Sequence, residues 1–318
     1  MEMLSDQQNL PAEPSIEVWT LGRVLASSAK WLSERSQDKD AANFRLEAEL
    51  LLAHVLKCDR MKLFLQLDKP LSKNEREEFK LLLRRRSDGE PVAYLLSYRD
   101  FYRHRFFVDR RVLVPRPDTE ALVEVAINHI QTISQNQLFH GAVISVLDVG
   151  AGSGCVGISL ALACPNVQVV GWDLSSDALD VAKKNADDLT CKNIRFETCD
   201  LMTAVNSEQY DVIVSNPPYI RSSERAELSV SVREFEPGMA LFDPHHKDGL
   251  TFFRKLASLG RDSLKPGGML AVECGSGQAL QVQDIFKEAG LTKLTITKDL
   301  SGIERVVSGQ KIPVSAVS

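Results

Sequence analysis

From residue 143 to residue 308 the chain alternates short apolar, β-branched runs with stretches of helical spacing, and this pattern restricts its fold more than any other feature. Val143–Val149, Val167–Asp173, Ile194–Thr198, Asp211–Ser215, Met269–Cys274, Leu294–Lys298 and Arg305–Ser308 read as strands. Ile158–Ala163, Ser176–Asp188, Leu250–Leu264 and Ala279–Ala289 read as helices between them, and Thr119–Ile133 as a helix before the first strand. Such alternation predicts an α/β domain with a doubly wound, mostly parallel sheet. Ligands of open α/β sheets bind beyond the carboxyl ends of the strands, so the residues that follow each run matter most.

Before residue 90 the texture differs. Thr20–Leu32, Phe44–Leu56, Lys62–Leu67 and Lys73–Arg86 have helical apolar spacing without strand-like alternation, and Leu46, Leu50, Ala53 and Leu56 mark one face. Ser72 followed by Glu75 is a capping box opening the last of these helices. Residues 19–90 are therefore expected to form a small all-helical domain, preceded by a polar, acidic tail over residues 1–18. Residues 91–114 turn aromatic and β-branched, with Phe101, Tyr102, Phe106, Phe107 and Val108, and read as a hairpin-like linker to an α/β domain over 115–318.

Two strand ends carry chemistry. Val146–Val149 runs into Gly150-Ala151-Gly152-Ser153-Gly154, where glycines let the backbone approach a ligand and the following helix N-terminus favours a carboxylate. Asp173, closing the next strand, is placed to accept from ribose hydroxyls. Asp148 and Asp200 are expected to border this pocket. Read one turn later, Gly152-Ser153-Gly154-Cys155-Val156-Gly157 also matches a dinucleotide-binding G-x-G-x-x-G pattern. Position favours the first reading, because Gly150 is the first glycine after the strand.

The second strand end is Asn216-Pro217-Pro218-Tyr219. These residue types suit alkylation of a planar –NH2 nitrogen, whose lone pair is delocalised and whose two N–H groups need two acceptors. The Asn216 side-chain oxygen and the Pro217 carbonyl can supply them, and neither proline presents a competing N–H. Both acceptors gain strength as the nitrogen becomes cationic. Tyr219 is expected to form a flat wall. An ordinary Asx/Pro strand-end turn is the alternative for these four residues taken alone.

Together these elements resemble the amino-methyltransferases that use S-adenosylmethionine. Within them the chain is similar to the peptide chain release factor glutamine methyltransferase family, the HemK/PrmC type, from about its first helices to its end. Further residues carry the resemblance: Arg84–Leu95, Leu113–Glu120 with its Pro117-Asp118-Thr119-Glu120, Phe235-Glu236-Pro237 and Ile303-Glu304-Arg305-Val306. Ser97 stands where the family usually has Gly, and Leu201 where an aromatic residue often packs on adenine. The resemblance implies a class I methyltransferase topology with a final antiparallel strand. It implies methyl transfer from S-adenosyl-L-methionine to the side-chain amide nitrogen (N5) of the glutamine in a Gly-Gly-Gln loop of release factors. Residues 115–318 would then be the S-adenosylmethionine-binding methyltransferase domain, and residues 19–90 a substrate-docking domain. Gly150, Ala151, Gly152, Ser153, Gly154, Asp173, Asp200, Leu201 and Asn216 would face the cofactor. Asn216, Pro217, Pro218 and Tyr219 would hold the acceptor, with Asn216, Pro217 and Tyr219 catalytic.

A sister branch methylating a ribosomal protein glutamine shares most of these motifs, and a DNA or RNA adenine-N6 methyltransferase would use the same tetrapeptide. A nicotinamide oxidoreductase would rest on the shifted glycine match alone. The net charge of −5 gives no general pull toward nucleic acid, so none is expected as a required partner. Only the arginines between Arg84 and Arg116, including Arg99, Arg103, Arg105, Arg110 and Arg111, could form a basic surface. Six cysteines without a C-x-x-C pair argue against zinc and against a disulfide framework. Cys155 and Cys164 read as packing thiols, and His245-His246 as a solvated pair. The first 18 residues lack signal or transit character, no apolar run is long enough to span a membrane, and a cytoplasmic location is expected. Residues 220–248 lack periodicity and read as a substrate-facing lid.

Overall fold

The structure, a computed structural model, describes residues 19–37, 43–135, 143–244 and 248–312, so the expectations for the tail over 1–18 and for His245-His246 lie outside the described residues. Two units divide after Asp88. The first contains α1 (Leu21–Arg35), α2 (Phe44–Val55), α3 (Arg60–Phe64) and α4 (Lys73–Ser87). Ser72 opens α4 as expected: its hydroxyl accepts from Glu75 N at 3.3 Å, and the Glu75 carboxylate accepts from Ser72 N at 2.7 Å. Two otherwise unpaired donors of the first turn are satisfied this way. Ala48, Leu51, Leu52, Ala53 and Val55 of α2 are buried, so of the expected face Ala53 is covered whereas Leu46, Leu50 and Leu56 are only half-buried. The helix is apolar on more than one side, so spacing alone did not single out the face that packs.

The second unit opens with α5 (Val92–Leu96), a short helix within a stretch whose composition suggests only extended chain. It ends at Ser97 in the left-handed conformation, φ 61°, where glycine avoids a penalty of about 1 kcal/mol. The hairpin of β1 (Tyr98–Phe101) and β2 (His104–Phe107) follows. Phe101 and Phe106 meet edge to face at 6.0 Å and are both buried in the core beneath the main sheet. Asn185 fixes the hairpin further, accepting from Phe107 N at 2.7 Å and donating to Phe107 O at 3.0 Å. The hairpin thus packs into the second unit.

After a 3-10 turn over Pro117–Thr119 come α6 (Glu120–Ser134), β3 (Ile144–Val149), α7 (Cys155–Ala163), β4 (Val167–Asp173), α8 (Ser176–Asp188), β5 (Ile194–Thr198) and β6 (Tyr210–Ser215). Then follow β7 (Ile220–Arg221), α9 (Val230–Phe235), β8 (Phe242–Asp243), α10 (Thr251–Ser263), β9 (Leu264–Glu273), α11 (Ala279–Glu288), β10 (Thr292–Lys298) and β11 (Glu304–Gln310). Seven strands form the main sheet in the order β10-β11-β9-β6-β3-β4-β5. Neighbours from β9 to β5 are parallel, and β11 runs antiparallel between β9 and β10.

Side chains alternate between the two faces of a strand. Val146, Val212, Val214 and Ala271 therefore pack with α6 and α7, while Leu147, Ile213, Leu270 and Val272 pack with α10 and α11. The chain winds from β3 to β4 and β5 on one side, then returns to β6 on the other. The carboxyl ends of β3 and β6 flank this switch point, where a doubly wound sheet opens its ligand crevice.

Candidate active site

A cleft of about 440 Å3 lies at the switch point, lined by Val149–Ser153, Asp173, Asp200, Leu201 and Asn216–Pro218 among others. Its rear wall is the glycine turn. Gly150 and Ala151 both donate their N–H to Trp172 O, at 2.8 and 2.9 Å, which folds the turn back over β4. Gly152 N donates to Asp173 Oδ2 at 2.8 Å, and Ser175 N donates to Asp173 Oδ1 at 2.9 Å. Asp173 thus braces the turn as well as closing its strand, and burial raises its carboxyl above the ordinary range. Asp148 lies deeper, accepting from Gly157 N at 2.8 Å in the first turns of α7. Asp200 caps the turn after β5, accepting from Met202 N at 2.8 Å, and Leu201 adds an apolar surface. Cys155 also lines the cleft and is only half-buried by its exposed surface, while Cys164 is buried. Desolvation pushes the Cys155 thiol up to about 12, which keeps it protonated and inert.

Burial pushes the Asp148 carboxyl from 3.8 up to about 7, partly opposed by the Gly157 N–H. A raised folded-state pKa contributes stability that is fully present below the unfolded value and lost as pH rises through the folded one. Asp148→Asn keeps an acceptor for Gly157 without a charge to bury. Between pH 5.5 and 8.5 the wild type is expected to lose about 2 kcal/mol relative to this variant. Paired urea titrations of the ligand-free proteins at the two pH values check it, and parallel curves would reject a buried titrating Asp148.

At the end of β6, Ser215 Oγ donates to Val149 O at 2.7 Å and ties the two strand ends together. Asn216 follows, and its Nδ2 donates to Thr119 Oγ1 at 3.1 Å. Its Oδ1 has no hydrogen-bond donor among the described residues. Thr119 itself lines the cleft and is held by its neighbours: Arg305 reaches Asp118 at 3.0 Å and Asp299 at 3.1 Å, and the Glu120 carboxylate accepts from Tyr102 N at 3.1 Å. These contacts explain why Pro117–Glu120 and Ile303–Val306 stand out in the sequence. The first motif presents Thr119, and Arg305 of the second clamps the turn that carries it.

Pro217 and Pro218 line the cleft, but Tyr219 is not among its lining residues. The ring packs against the core on the α10–α11 side, and its hydroxyl donates to Glu273 Oε1 at 3.3 Å. A buried carboxylate at the end of β9 therefore holds the half-buried Tyr219 by its hydroxyl. Sequence reading also passed over Thr119 and Glu273. An acid inside the apolar run Met269–Cys274 was the available signal, since a charge in a buried strand needs partners.

Residues 220–244 carry short elements instead of one long loop, and Pro237, Met239, Ala240, Phe242 and Pro244 complete the cleft wall. Glu236 anchors this wall, accepting from Arg116 at 2.6 Å and from Val114 N at 3.3 Å. Arg233 pairs instead with its exposed neighbour Glu234 at 2.7 Å. Three arginines of the basic cluster have carboxylate partners within the unit: Arg105 pairs with Asp100, Arg110 with Glu90 and Arg111 with Asp109. Among the described residues no His, Cys, Asp and Glu group could hold a metal ion, and no helix is long and apolar enough to cross a membrane.

Comparison with known proteins shows the family. Residues 29–96 match the PrmC N-terminal domain, and residues 129–237 match the methyltransferase small domain. A release factor glutamine methyltransferase of Geobacter sulfurreducens is 38% identical over 92% of this chain and 98% of its own length. That of Chlorobaculum tepidum is 36% identical over 93% of this chain and 98% of its own. A solved release factor-specific protein-(glutamine-N5) methyltransferase from Alicyclobacillus acidocaldarius aligns at 32% identity with 65% of this chain and 100% of that one, with a TM-score of 0.38. With more than a third of its residues shared over nearly the whole length of such relatives, the chain belongs to the release factor glutamine methyltransferase family.

Proposed function

We propose that this chain transfers a methyl group from S-adenosylmethionine to the N5 amide nitrogen of the glutamine in a release factor Gly-Gly-Gln loop, with Asn216 as the principal acceptor-site residue. The observation that carries this reading is the Asn216 amide, with its NH2 committed to Thr119 and its oxygen left for a donor in the cleft. A carboxamide –NH2 offers two donors to the Asn216 Oδ1 and Pro217 carbonyl. As positive charge develops on the nitrogen, both acceptors bind it more tightly, and that differential lowers the barrier.

The cleft fits the cofactor. A Cβ built at Gly150 or Gly152 would meet nothing closer than 3.9 Å, so the backbone there borders open space that a ligand can fill. When bound, S-adenosylmethionine supplies an electrophilic methyl group on a sulfonium. Gly150–Gly154 with the N-terminus of α7 would hold its amino-acid end, Asp173 its ribose hydroxyls, and Asp200 and Leu201 its adenine. Pro237, Met239, Ala240, Phe242 and Pro244 would place apolar surface beside the bound cofactor.

Incubation with labelled cofactor and three acceptors tests the assignment: release factor, ribosomal protein and DNA. Label is expected on release factor, and the Gly-Gly-Gln→Gly-Gly-Ala substrate should remain unlabelled. Label on DNA or ribosomal protein alone would replace the reading with one of its alternatives.

The helical unit is assigned to docking the protein substrate. A fragment covering residues 89–318 is expected to bind S-adenosylmethionine normally while its kcat/KM on intact release factor falls by about tenfold or more, because remote binding energy is lost. Equal turnover by fragment and full chain would leave the first unit a stability element.

A further inference from the structure

Asn216 can serve the acceptor amide only one way round. With Oδ1 in the cleft it accepts an N–H; flipped, it would present a donor to two donors. Nothing in the shape of the amide decides between these, so its hydrogen-bond partner must. That partner, Thr119 Oγ1, can accept from Nδ2 or donate to Oδ1. Its choice depends on where its own proton goes.

Glu273 provides the answer. It is 2% exposed, it closes β9 beside the end of β6, and its Oε1 accepts from Tyr219. Its Oε2 is buried with no hydrogen-bond partner in this geometry, although buried polar atoms are nearly always paired. The Thr119 hydroxyl sits close enough to stabilise the carboxylate's charge, and its proton has no other recipient among the described residues. Thr119 thus holds a proton without an acceptor beside a carboxylate that has one oxygen without a donor.

We propose that Glu273 and Thr119 are positioning residues for the methyl acceptor: the buried carboxylate takes the Thr119 proton, which leaves Thr119 Oγ1 to accept from Asn216 Nδ2 and holds Asn216 Oδ1 toward the cleft. The inference rests on the glutamine methyltransferase reading and deepens it.

The relay has a direction, and protonation reverses it. A Glu273 carboxylic acid would donate to Thr119, whose own proton would then turn to Asn216 and favour the flipped amide. Desolvation raises the Glu273 pKa to about 6, against the Thr119 hydroxyl, the Arg305 charge and the Tyr219 phenol, which lower it. Asp118 adds a raising charge, and the thiols of Cys155 and Cys274 also face the carboxylate. Because the ionised form is the working one, kcat should be complete at pH 8 and decline as pH falls through about 6.

The test uses the full chain, intact release factor and saturating cofactor, with kcat and KM measured from pH 5 to 8. Thr119→Val keeps the shape of the side chain but cannot accept, and its kcat at pH 8 is expected to fall about tenfold with KM within about twofold. Thr119→Ser should restore most of the loss. Glu273→Gln presents an amide that can lie either way round, so kcat should fall about threefold at pH 8. In both Thr119→Val and Glu273→Gln the acid limb near pH 6 should disappear, which loss of packing alone would not cause. Cofactor affinity by calorimetry shows that each variant is folded. A flat wild-type profile, an acid limb unchanged in Thr119→Val, or Thr119→Val with wild-type kcat overturns the proposal. A wild type that fails to methylate release factor at any pH overturns the functional reading beneath it.

Discussion

Asn216→Ala is expected to lower kcat by about 10²–10³, the loss that follows removal of one preorganised group facing charge that develops in the transition state. The polarity is the reverse of an oxyanion hole, with an acceptor facing a nitrogen that becomes cationic. The effect belongs on kcat, because a neutral ground-state amide gains little from the same contact. Asn216→Asp retains an acceptor but cannot donate to Thr119, so it should fall between alanine and wild type once cofactor binding is matched. Asn216→Leu should be at least as slow as alanine, since it also fills the cleft. Tyr219→Phe gives a contrast. Its hydroxyl serves buried Glu273, so its removal should show mainly as lost stability, about 1–3 kcal/mol for a carboxylate oxygen left unpaired. Single-turnover rates at saturating cofactor decide the matter, and an alanine variant as fast as wild type would reduce Asn216–Tyr219 to a turn.

The contrast between Asn216 and Tyr219 shows where sequence reading reaches and where it stops. The inner strands β3, β4 and β6 were legible because a parallel strand covered on both faces must be largely apolar, and edge strand β5 because its Ile194 and Phe196 alternate with polar residues; all four appear within one residue of their expected bounds. The glycine turn and the tetrapeptide were legible because their backbone demands exclude most residue types. The short helix Val92–Leu96 was not, since five residues rich in β-branched and aromatic neighbours carry no helical period. Nor was the placement of Tyr219. Its hydroxyl partner Glu273 lies at the end of a strand five elements later, which no local pattern around Tyr219 can report. The relay through Thr119 and Glu273 joins residues 119, 216 and 273, and only the sheet order makes them neighbours. Local patterns report what a residue's own backbone requires, whereas hydrogen-bond partnership across the sheet is a property of the assembled topology.

Gly152→Val is expected to abolish measurable S-adenosylmethionine binding, a loss of about 10²-fold or more, while the protein stays folded. Two glycines of the same turn separate these effects. Gly152 has φ +53° and its added Cβ would meet no atom nearer than 4.0 Å, so the new side chain enters the cleft and strains only its own backbone. That strain costs about 1–2 kcal/mol, which a two-unit protein of this size should survive. Gly154 has φ +78°, but its Cβ would lie 2.8 Å from Ile158 and 3.2 Å from Ala182. Gly154→Val should therefore fail as a fold, by displacing the first turn of α7 from the core. Asp173→Ala attacks the same pocket from its other side. It removes a ribose acceptor and also unpairs the Gly152 and Ser175 N–H groups, so affinity should fall by about 1.5–3 kcal/mol, or 10- to 150-fold. Asp173→Asn can still accept from one of those N–H groups and should retain more of the turn's order than of its ribose binding. Calorimetric titration with S-adenosylmethionine, paired with a thermal melt of each variant, distinguishes lost pocket from lost fold. Wild-type affinity in folded Gly152→Val and Asp173→Ala would move the cofactor out of this cleft altogether.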